Sequence, residues 1–355
     1  MSTFLCSPYE ISKVISIKTI NANESAEEFI QYLPYPLWFK KTLKNPFDMH
    51  RKETNGEILL AVNTNRTIRG CIYLELNPKH RSYGKSVPVF GWIHADNENI
   101  TQILLSKCEE KAKDFGAPLI RGPINSPKSF GGWGCLEKNS NFHPEIYSAP
   151  ALVECSDISS EIAKSIESAG FECDAEYINL YNTNLLSVPE FPDVELSNPS
   201  ISEILSNPTI LRQIGQLVQE NFTSYLPDTC PPERTLALLA EMAEIPHSED
   251  FYYLAWEKTT GKLIGYILEI PNFMQYWAGE PITMGNTNSV IIAKQWRGAA
   301  FFHCLYNKLT AKLHARGVIH REGTMIWTKN LPAIASFSKI GFQCRSFKVY
   351  QKYLR

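Results

Sequence analysis

An approximate repeat runs through this sequence. The segment AGFEC at 169–173 precedes a β-rich run ending at Tyr181, and IGFQC at 340–344 precedes a similar run ending at Tyr350. The glycines of the two segments, Gly170 and Gly341, are 171 positions apart, close to half of the 355 residues. A chain of this length is also too long for one ordinary hydrophobic core. The repeat therefore predicts two similar halves.

A second pair of segments supports the repeat. Leu60 and Leu74 are 14 positions apart, as are Leu254 and Leu268, and each pair encloses a polar turn, NTNR at 63–66 or KTTG at 258–261. Two β-rich arms around such a turn predict a hairpin in each half. The hairpins are offset by 194 residues and the glycines by 171, so the first half carries 23 extra residues between these features. We place them in 122–150, whose Gly, Pro, Ser and Asn are typical of an inserted surface loop.

The order of elements is the same in both halves. Strand and helix patterns at 14–20 and 26–33 open the first half, and helical patterns at 210–222 and 234–243 open the second. A hairpin, a strand, a long helix ending at Gly, a strand, a short helix and a final strand follow in each. This alternation predicts an α/β (α+β) fold with two mixed-sheet halves in tandem. The predicted boundaries are 1–185 for the first half, 186–208 for a Pro- and Ser-rich linker, and 209–355 for the second half.

Composition excludes several classes of function. With 44% hydrophobic and 20% charged residues and a formal net charge of −2, the chain lacks the basic balance that favours nucleic-acid binding. Its nine cysteines form no C-x-x-C pair and no zinc-like grouping with His, which predicts reduced thiols and no metal. The N-terminus does not resemble a signal peptide, and no apolar run is long enough to span a membrane. We therefore expect a cytoplasmic protein.

The stretch KQWRGAAFFHCLYNKL at 294–309 follows a β-rich run and leads into a helix. Phe301, Leu305, Leu309 and Leu313 recur every four residues, and Gly317 gives a stop. The unpaired N–H groups at such a helix start could hold a phosphate, with Gly298 allowing close approach and Arg297 supplying charge. By itself this pattern also fits a purely structural turn.

The repeat supplies an internal control for this turn. Gly298 lies 19 residues before Gly317, and the residue 19 before the corresponding Gly116 is Asn97. The first half reads HADNEN at 94–99, where Asp96 and Glu98 would repel a pyrophosphate. Only the second half is therefore predicted to bind a phosphorylated ligand.

Two motifs now indicate a family. QWRGAA at 295–300 resembles the Q/R-x-x-G-x-G/A loop of the GNAT (N-acetyltransferase) superfamily, and it likewise lies between a strand and a long helix. NLPA at 330–333 followed by KIGF at 339–342 resembles the N-x-x-A…G-F ending of that superfamily. The resemblance covers 200–355, and the first half resembles a degenerate copy. It implies two GNAT-like halves in tandem.

The resemblance also implies where an acyl-CoA co-substrate would bind. Its pantetheine arm would pair with the backbone of the strand at 289–294, as an added strand would, and its pyrophosphate would meet the N–H groups of 295–300. The residues so assigned to acyl-CoA are Ile291, Ile292, Gln295, Trp296, Arg297, Gly298, Ala299, Ala300 and Asn330.

Acyl transfer to an amine needs a proton acceptor and a donor to the departing thiolate. Glu269 ends the hairpin strand that in this family lies beside the acyl-donor strand, so it is the candidate base. The family often has a Tyr acid seven residues after the Asn of N-x-x-A, but here that position is Phe337. Ser338 or Tyr350 is then the candidate acid, or the thiolate leaves unaided, or catalysis is lost.

These features leave three functions open. The first is an N-acyltransferase that moves an acetyl or longer acyl group from coenzyme A to an amine of a small molecule or peptide. The second is transfer from an acyl carrier protein or an aminoacyl-tRNA, the latter disfavoured by the near-neutral charge. The third is a non-catalytic acyl-CoA-binding protein, which Phe337 favours. No metal is implied in any of them.

Overall fold

The computed structural model describes residues 15–354 except 128, 138–153, 222–225 and 230–231, and it describes only the backbone of 232–237 and 299. Part of the predicted insert, 138–150, and the first 14 residues lie outside this range, as does Phe222. The helices are α1 (Glu27–Tyr32), α2 (Leu37–Thr54), α3 (Glu98–Asp114), α4 (Ser160–Ser168), α5 (Ile201–Ser206), α6 (Pro208–Asn221), α7 (Pro232–Ala243), α8 (Phe273–Trp277), α9 (Ala299–Ala315) and α10 (Leu331–Phe337).

The strands of the first half are β1 (Ile15–Ile20), β2 (Glu57–Asn63), β3 (Ile68–Glu75), β4 (Val89–Ala95), β5 (Leu119–Gly122), β6 (Gly132–Trp133), β7 (Cys135–Leu136), β8 (Glu154–Cys155) and β9 (Glu172–Asn182). Those of the second half are β10 (Val194–Ser197), β11 (Tyr252–Glu257), β12 (Lys262–Pro271), β13 (Met284–Ile292), β14 (His320–Trp327) and β15 (Gly341–Tyr353). Both predicted hairpins are present, as β2–β3 and β11–β12.

One 13-stranded mixed sheet contains both halves. Its order is β1-β2-β3-β4-β5-β15-β9-β14-β13-β12-β11-β10, with β7 paired to β15. The last strand of each half lies in the end of the sheet formed by the other half: β15 pairs with β5, and β9 pairs with β14. The two strands of the GF repeat, β9 and β15, are also neighbours at the centre of the sheet. The predicted fold class of two tandem mixed-sheet halves is confirmed, and this exchange of strands joins them.

Helices cover both faces of the sheet because their apolar stripes need partners. In the second half, Leu305, Leu309 and Leu313 of α9 are fully buried against β11 and β12, as their four-residue spacing predicts. In the first half, Leu104, Leu105 and Cys108 of α3 occupy the equivalent place. Within the described residues, we find no helix with the length and apolar content needed to cross a bilayer.

The first part of the predicted insert is not a surface loop. Ile124, Asn125 and Phe130 are buried, and 132–133 pairs with 154–155 as the two-stranded sheet β6–β8. Its glycines permit close packing: a Cβ at Gly131 would lie 2.4 Å from the Asn125 Cβ. Composition typical of loops thus reflects close backbone approach in this segment.

The predicted linker at 186–208 is also structured. It contains β10, which pairs with β11 at the edge of the sheet, and α5, whose capping box joins Ser200 and Glu203. Strand β10 has four residues and lies between Pro192 and Pro199, so its pattern is too short to distinguish it from a linker by sequence.

Candidate functional site

The strands β13 and β14 part in the middle of the second half. They pair in parallel from Met284–His320 to Thr287–Gly323 and no further, whereas the opposite edge of β14 stays paired with β9 as far as Trp327. On its other side β13 stays paired with β12 as far as Ile292. In the described part of the chain, the edge of β13 at 288–292 therefore has no strand beside it on the β14 side, which leaves room for an added strand.

A β-bulge marks the point of parting. Leu268 faces Ser289 and Glu269 faces Thr287, so Asn288 is the extra residue on β13. Bulges of this kind bend a strand and redirect a side chain, and they are common beside active sites. The bulge brings the Asn288 side chain to the start of the open edge.

The open edge leads directly to the start of α9. A 3₁₀ turn at 294–296 ends at Arg297, and Gly298 is the N-cap of α9 with an extended backbone, φ 165°. Gly298 is exposed, and a Cβ built on it would have no heavy atom within 4 Å. Among the described residues no side chain caps the first-turn N–H groups of α9. A helix start with free N–H groups in exposed surroundings can hold an anion.

The corresponding helix of the first half begins differently. The Asn97 side chain accepts from the Ile100 N–H at 3.1 Å and so caps α3. The strands β4 and β5 share the pair Val89–Arg121, and the chain after β5 follows β4 as far as the Asn125 contact with the Trp92 N–H and then leaves it. A cavity of about 440 Å³ lies beyond that point, and its lining includes Asp96, Glu98, Asp157 and Glu161. The first half thus keeps a cleft at the equivalent position but lines it with acids.

The structure brings most of the predicted acyl-CoA residues into one stretch. The Ile291 side chain is buried in the hydrophobic core, and the Ile292 side chain packs against that core. Both residues would therefore meet a ligand with their backbone groups and not with their side chains. Gln295 and Arg297 are exposed, and Trp296 lies against Phe301 with ring centroids 5.6 Å apart. The Arg297 Nε donates to the Ile292 carbonyl at 3.2 Å, and its guanidinium also donates to Asn221. The backbones of 299 and 300 form the first turn of α9.

Asn330 lies apart from this stretch, at the start of α10. Its side chain accepts from the Ala333 N–H at 3.4 Å, which is an N-cap contact. The cap explains the Asn of the N-x-x-A motif structurally. A role in acyl-CoA binding stays a prediction.

Glu269, the predicted base, is engaged in a buried ion pair. Both of its oxygens accept from the Arg321 Nε, at 2.8 and 2.9 Å, and Thr287 donates to it at 3.2 Å. Arg321 in turn contacts Thr310 and lies over the Tyr306 ring, both on α9. Glu269 is fully buried. Its base role stays a prediction, but the ion pair gives this carboxylate a structural task.

Replacing Glu269 by Gln tests whether the ion pair with Arg321 stabilises the fold. We expect the free energy of unfolding to fall by about 3–5 kcal/mol, because Arg321 would keep its buried charge without the carboxylate that pairs with it. Equilibrium urea unfolding measures the change. An unchanged stability would contradict a structural role for the ion pair.

The two candidate acids, Ser338 and Tyr350, lie in different surroundings. Ser338 is exposed at the end of α10. Tyr350 lies on β15 within the core of the first half and donates to Glu167 at 3.0 Å. Three strand spacings separate β15 from β13, about 14 Å. The exchange of strands therefore places Tyr350 away from the open edge of β13, which argues against its role as acid there.

Phe337 occupies the place beside the parting strands. It is buried, and its ring would meet a Cβ on Gly323 at 2.6 Å. Its ring centroid is 5.0 Å from that of Phe302 on α9. The position of the family's Tyr is thus filled by an aromatic ring that has no proton to donate.

Sequence reasoning missed a buried polar cluster at the parting of β13 and β14. We define the polar cluster as Glu154, Asn179, Asn286, Asn288, Glu322 and Thr324. Asn286 donates to Thr324 at 2.9 Å, Asn179 donates to Glu322 at 2.8 Å, and Asn288 donates to Glu154. Successive residues of a strand point to opposite faces, so Glu322 lies on the face away from Arg321 and α9. No signal in the sequence joins these residues, which come from β8, β9, β13 and β14.

The surroundings of the polar cluster determine the protonation of Glu322 and of the neighbouring Cys155. Burial would raise the pKa of Glu322, but the hydrogen bond with His320 and the charge of Arg345 hold it below its usual value. This carboxylate is therefore ionised. Burial raises the pKa of the neighbouring Cys155 to about 12, so that thiol stays neutral and is a poor nucleophile.

The fold is similar to that of solved GNAT structures, one of which is described as a tandem GNAT protein. At the level of sequence, neither a protein-family model nor a curated protein matches the chain. Among solved structures, a tandem GNAT protein from the clavulanic acid biosynthesis pathway superposes with a TM-score of 0.60 at 13% identity, covering 96% of this chain and 99% of that one. A GCN5-related N-acetyltransferase from Sphaerobacter thermophilus gives 0.53 at 15% identity, with 94% and 87% covered.

A third similar structure is the GCN5-related glucosamine N-acetyltransferase region of a fungal multi-domain GH3 β-N-acetylglucosaminidase. Its TM-score is 0.60 at 12% identity, and the match covers 95% of this chain but 38% of that larger chain. Identities this low establish the fold alone. The chain therefore has a tandem GNAT-like fold, as the two motifs of the second half predict.

Proposed function

We propose that the second half of this chain binds an acyl-CoA and transfers its acyl group to an amine. The observation that supports this most directly is the continuous path from the open edge of β13 to the uncapped start of α9 at Gly298. A pantetheine arm needs backbone partners along an extended strand, and a pyrophosphate needs N–H donors at a helix start. The stretch 288–300 offers both in that order.

The reaction follows from the chemistry of a thioester. A neutral amine nitrogen attacks the carbonyl carbon, a C–N bond forms, and the C–S bond breaks. The nitrogen gives up a proton, and the thiolate takes one. Phe337 cannot supply that proton, so exposed Ser338 or solvent is the proposed donor.

The class of acceptor is an amine of a small molecule or peptide. Glucosamine is a reasonable first probe, because the fungal region with a similar fold is described as a glucosamine N-acetyltransferase. A carrier-protein thioester is an alternative donor for the same site. The formal net charge of −2 makes an aminoacyl-tRNA a poorer one.

A second candidate function is acyl-CoA binding without transfer. The observation that favours it is the buried ring of Phe337 beside Gly323. A Tyr at this position could donate a proton to the departing thiolate, and Phe cannot. In that case the uncapped start of α9 would serve binding alone.

The test is release of free thiol from acetyl-CoA and longer acyl-CoAs with glucosamine, simple primary amines and short peptides, alongside acyl carrier protein thioesters. Acylated amine identified by mass spectrometry supports transfer, and the preferred thioester identifies the donor. Binding of acyl-CoA without any acylated amine would support the non-catalytic alternative. Absence of both binding and transfer would contradict the proposal.

A further inference from the structure

Glu154 comes from the first half of the chain but reaches the site of the second. It begins β8, where Glu154 and Cys155 pair in parallel with Gly132 and Trp133 of β6. Its carboxylate accepts from the Asn288 side-chain amide, 134 positions away in sequence. Asn288 is the bulged residue at which β13 leaves β14. The first half thus places a carboxylate at the start of the open edge on which the proposed acyl donor lies.

The backbone of Glu154 is held in an unfavourable conformation. Its φ of 68° lies in the left-handed region, which residues with a Cβ seldom adopt. A Cβ on Gly132 would lie 2.2 Å from the Glu154 carbonyl oxygen, so the partner strand approaches as closely as only glycine allows. Strained residues held by their surroundings are concentrated at functional sites, where the strain fixes a side chain. Here the fixed side chain is a carboxylate.

The polar cluster positions Glu154 further. Asn179 donates to the Cys155 sulfur at 3.3 Å and to Glu322 at 2.8 Å, which ties β8 to β14. Ser289 donates to the Asn288 side-chain oxygen at 2.9 Å, which orients the amide that meets Glu154. Among the described residues, the nearby titratable groups include Cys155, next to Glu154 on β8, and Glu322 on β14, which is already bonded to His320, Arg345 and Asn179.

The other carboxylate close to β13 serves a different purpose. Glu269 lies on the α9 side of the sheet and is bonded to Arg321 through both oxygens. Glu154 lies at the bulge of β13 and accepts from a nitrogen donor there, the Asn288 amide. The Asn288 nitrogen marks a position from which an N–H group can reach the Glu154 carboxylate. Because an acceptor amine also carries N–H groups, its nitrogen can bind at the same position.

We infer that Glu154 is the carboxylate that receives the proton of the acceptor amine, so that the first half completes the site of the second. The acceptor nitrogen takes the place of the Asn288 amide at Glu154 and attacks the thioester carbonyl. As the C–N bond forms, its N–H proton passes to the Glu154 carboxylate, and the C–S bond breaks. The carboxylic acid then returns the proton to water. This inference rests on the proposed function of the second half.

The experiment compares Glu154→Gln with wild type, using acetyl-CoA and the amine that the acceptor panel acylates best. Gln keeps the size and an oxygen for Asn288 but cannot take a proton. We expect kcat to fall by about 10²–10³-fold, as is typical for loss of a general base, with KM for acetyl-CoA within about twofold. Below the pKa of the amine, the residual rate should then rise about tenfold per pH unit, because only the free amine reacts.

Three further variants make the result decisive. Glu154→Asp keeps a carboxylate and should retain more activity than Glu154→Gln at equal thermal stability. Glu269→Gln tests the rival base. Glu172→Gln, an exposed carboxylate of the first half, should leave kcat unchanged.

Wild-type kcat in Glu154→Gln, or a large loss of kcat confined to Glu269→Gln under conditions where circular dichroism shows that variant to be folded, would overturn the inference while leaving the proposed function intact. Equal losses of kcat in Glu154→Gln and Glu154→Asp, with an unchanged pH profile, would assign Glu154 a structural role and would also overturn the inference. Failure of wild type to bind acetyl-CoA in calorimetry would instead overturn the proposed function itself.

Discussion

Replacing Asp228 by Asn is expected to lower the free energy of unfolding by about 3–5 kcal/mol, the cost of breaking a buried ion pair. Asp228 lies between α6 and α7 of the second half, yet its partners belong to the first. It accepts from Arg121 at 2.7 and 3.2 Å, from His80 at 2.7 Å and from Tyr177. Its side chain and that of Arg121 are fully buried. The variant would leave Arg121 in the core with Asp174 as its remaining carboxylate partner.

The effect should depend on pH in a defined direction. Burial alone would raise the pKa of Asp228, but the Arg121 guanidinium and the His80 hydrogen bond hold it well below its usual value. A depressed carboxyl pKa stabilises the folded state above the unfolded pKa of about 3.9, and this stabilisation is lost as the pH falls further. The difference between wild type and Asp228→Asn should therefore narrow below about pH 4.

Equilibrium urea unfolding at pH 7 and at pH 3 measures both effects. Glu28→Gln is the control, since Glu28 forms an exposed pair with Lys18 that should contribute little. A variant as stable as wild type at pH 7 would contradict the role of Asp228 in joining the halves.

Replacing Gly298 by Asp is expected to change stability and acyl-CoA affinity in opposite directions. An N-cap carboxylate would cap α9 and stabilise it by a few tenths of a kcal/mol relative to Gly. The extended φ of 165° and the open space around the position should accommodate the side chain. The same carboxylate would repel a pyrophosphate, and we expect acetyl-CoA to bind about 100-fold more weakly.

The reciprocal change in the first half is the control for Gly298→Asp. Asn97→Gly removes the cap of α3 and should cost a few tenths of a kcal/mol without altering acetyl-CoA affinity. Thermal melts with and without acetyl-CoA give both quantities for each variant. Equal weakening by the two changes would contradict the assignment of the ligand to the second half.

The sequence predicted those parts of the fold whose pattern is local. The hairpins β2–β3 and β11–β12 have polar turns between β-rich arms, and α9 has a four-residue apolar spacing that ends at Gly317. Helix α2 was not predicted, because Pro46 lies inside it and disguises its pattern. The pairing of β15 with β5 could not be foreseen either, because a strand's periodicity shows which face is buried but not which strand lies beside it.

The same distinction between local and long-range features applies to the candidate site. Gly298 and its neighbours form a contiguous motif, so sequence could locate the helix start and its internal control at Asn97. Glu154 and Asn288 are brought together only by the fold, and Glu154 lies in a segment whose composition resembles a surface loop. The engagement of Glu269 depends on Arg321, 52 residues away on another strand, and was equally hidden.

The central claim is that one acyl-CoA binds each chain, at the open edge of β13 and the start of α9. Isothermal titration of the intact protein with acetyl-CoA tests it most directly, with Arg297→Glu as the matched variant. We predict a single site per chain in wild type and strongly weakened binding in the variant. No heat of binding in wild type, two sites per chain, or a site that Arg297→Glu leaves unchanged would contradict the claim.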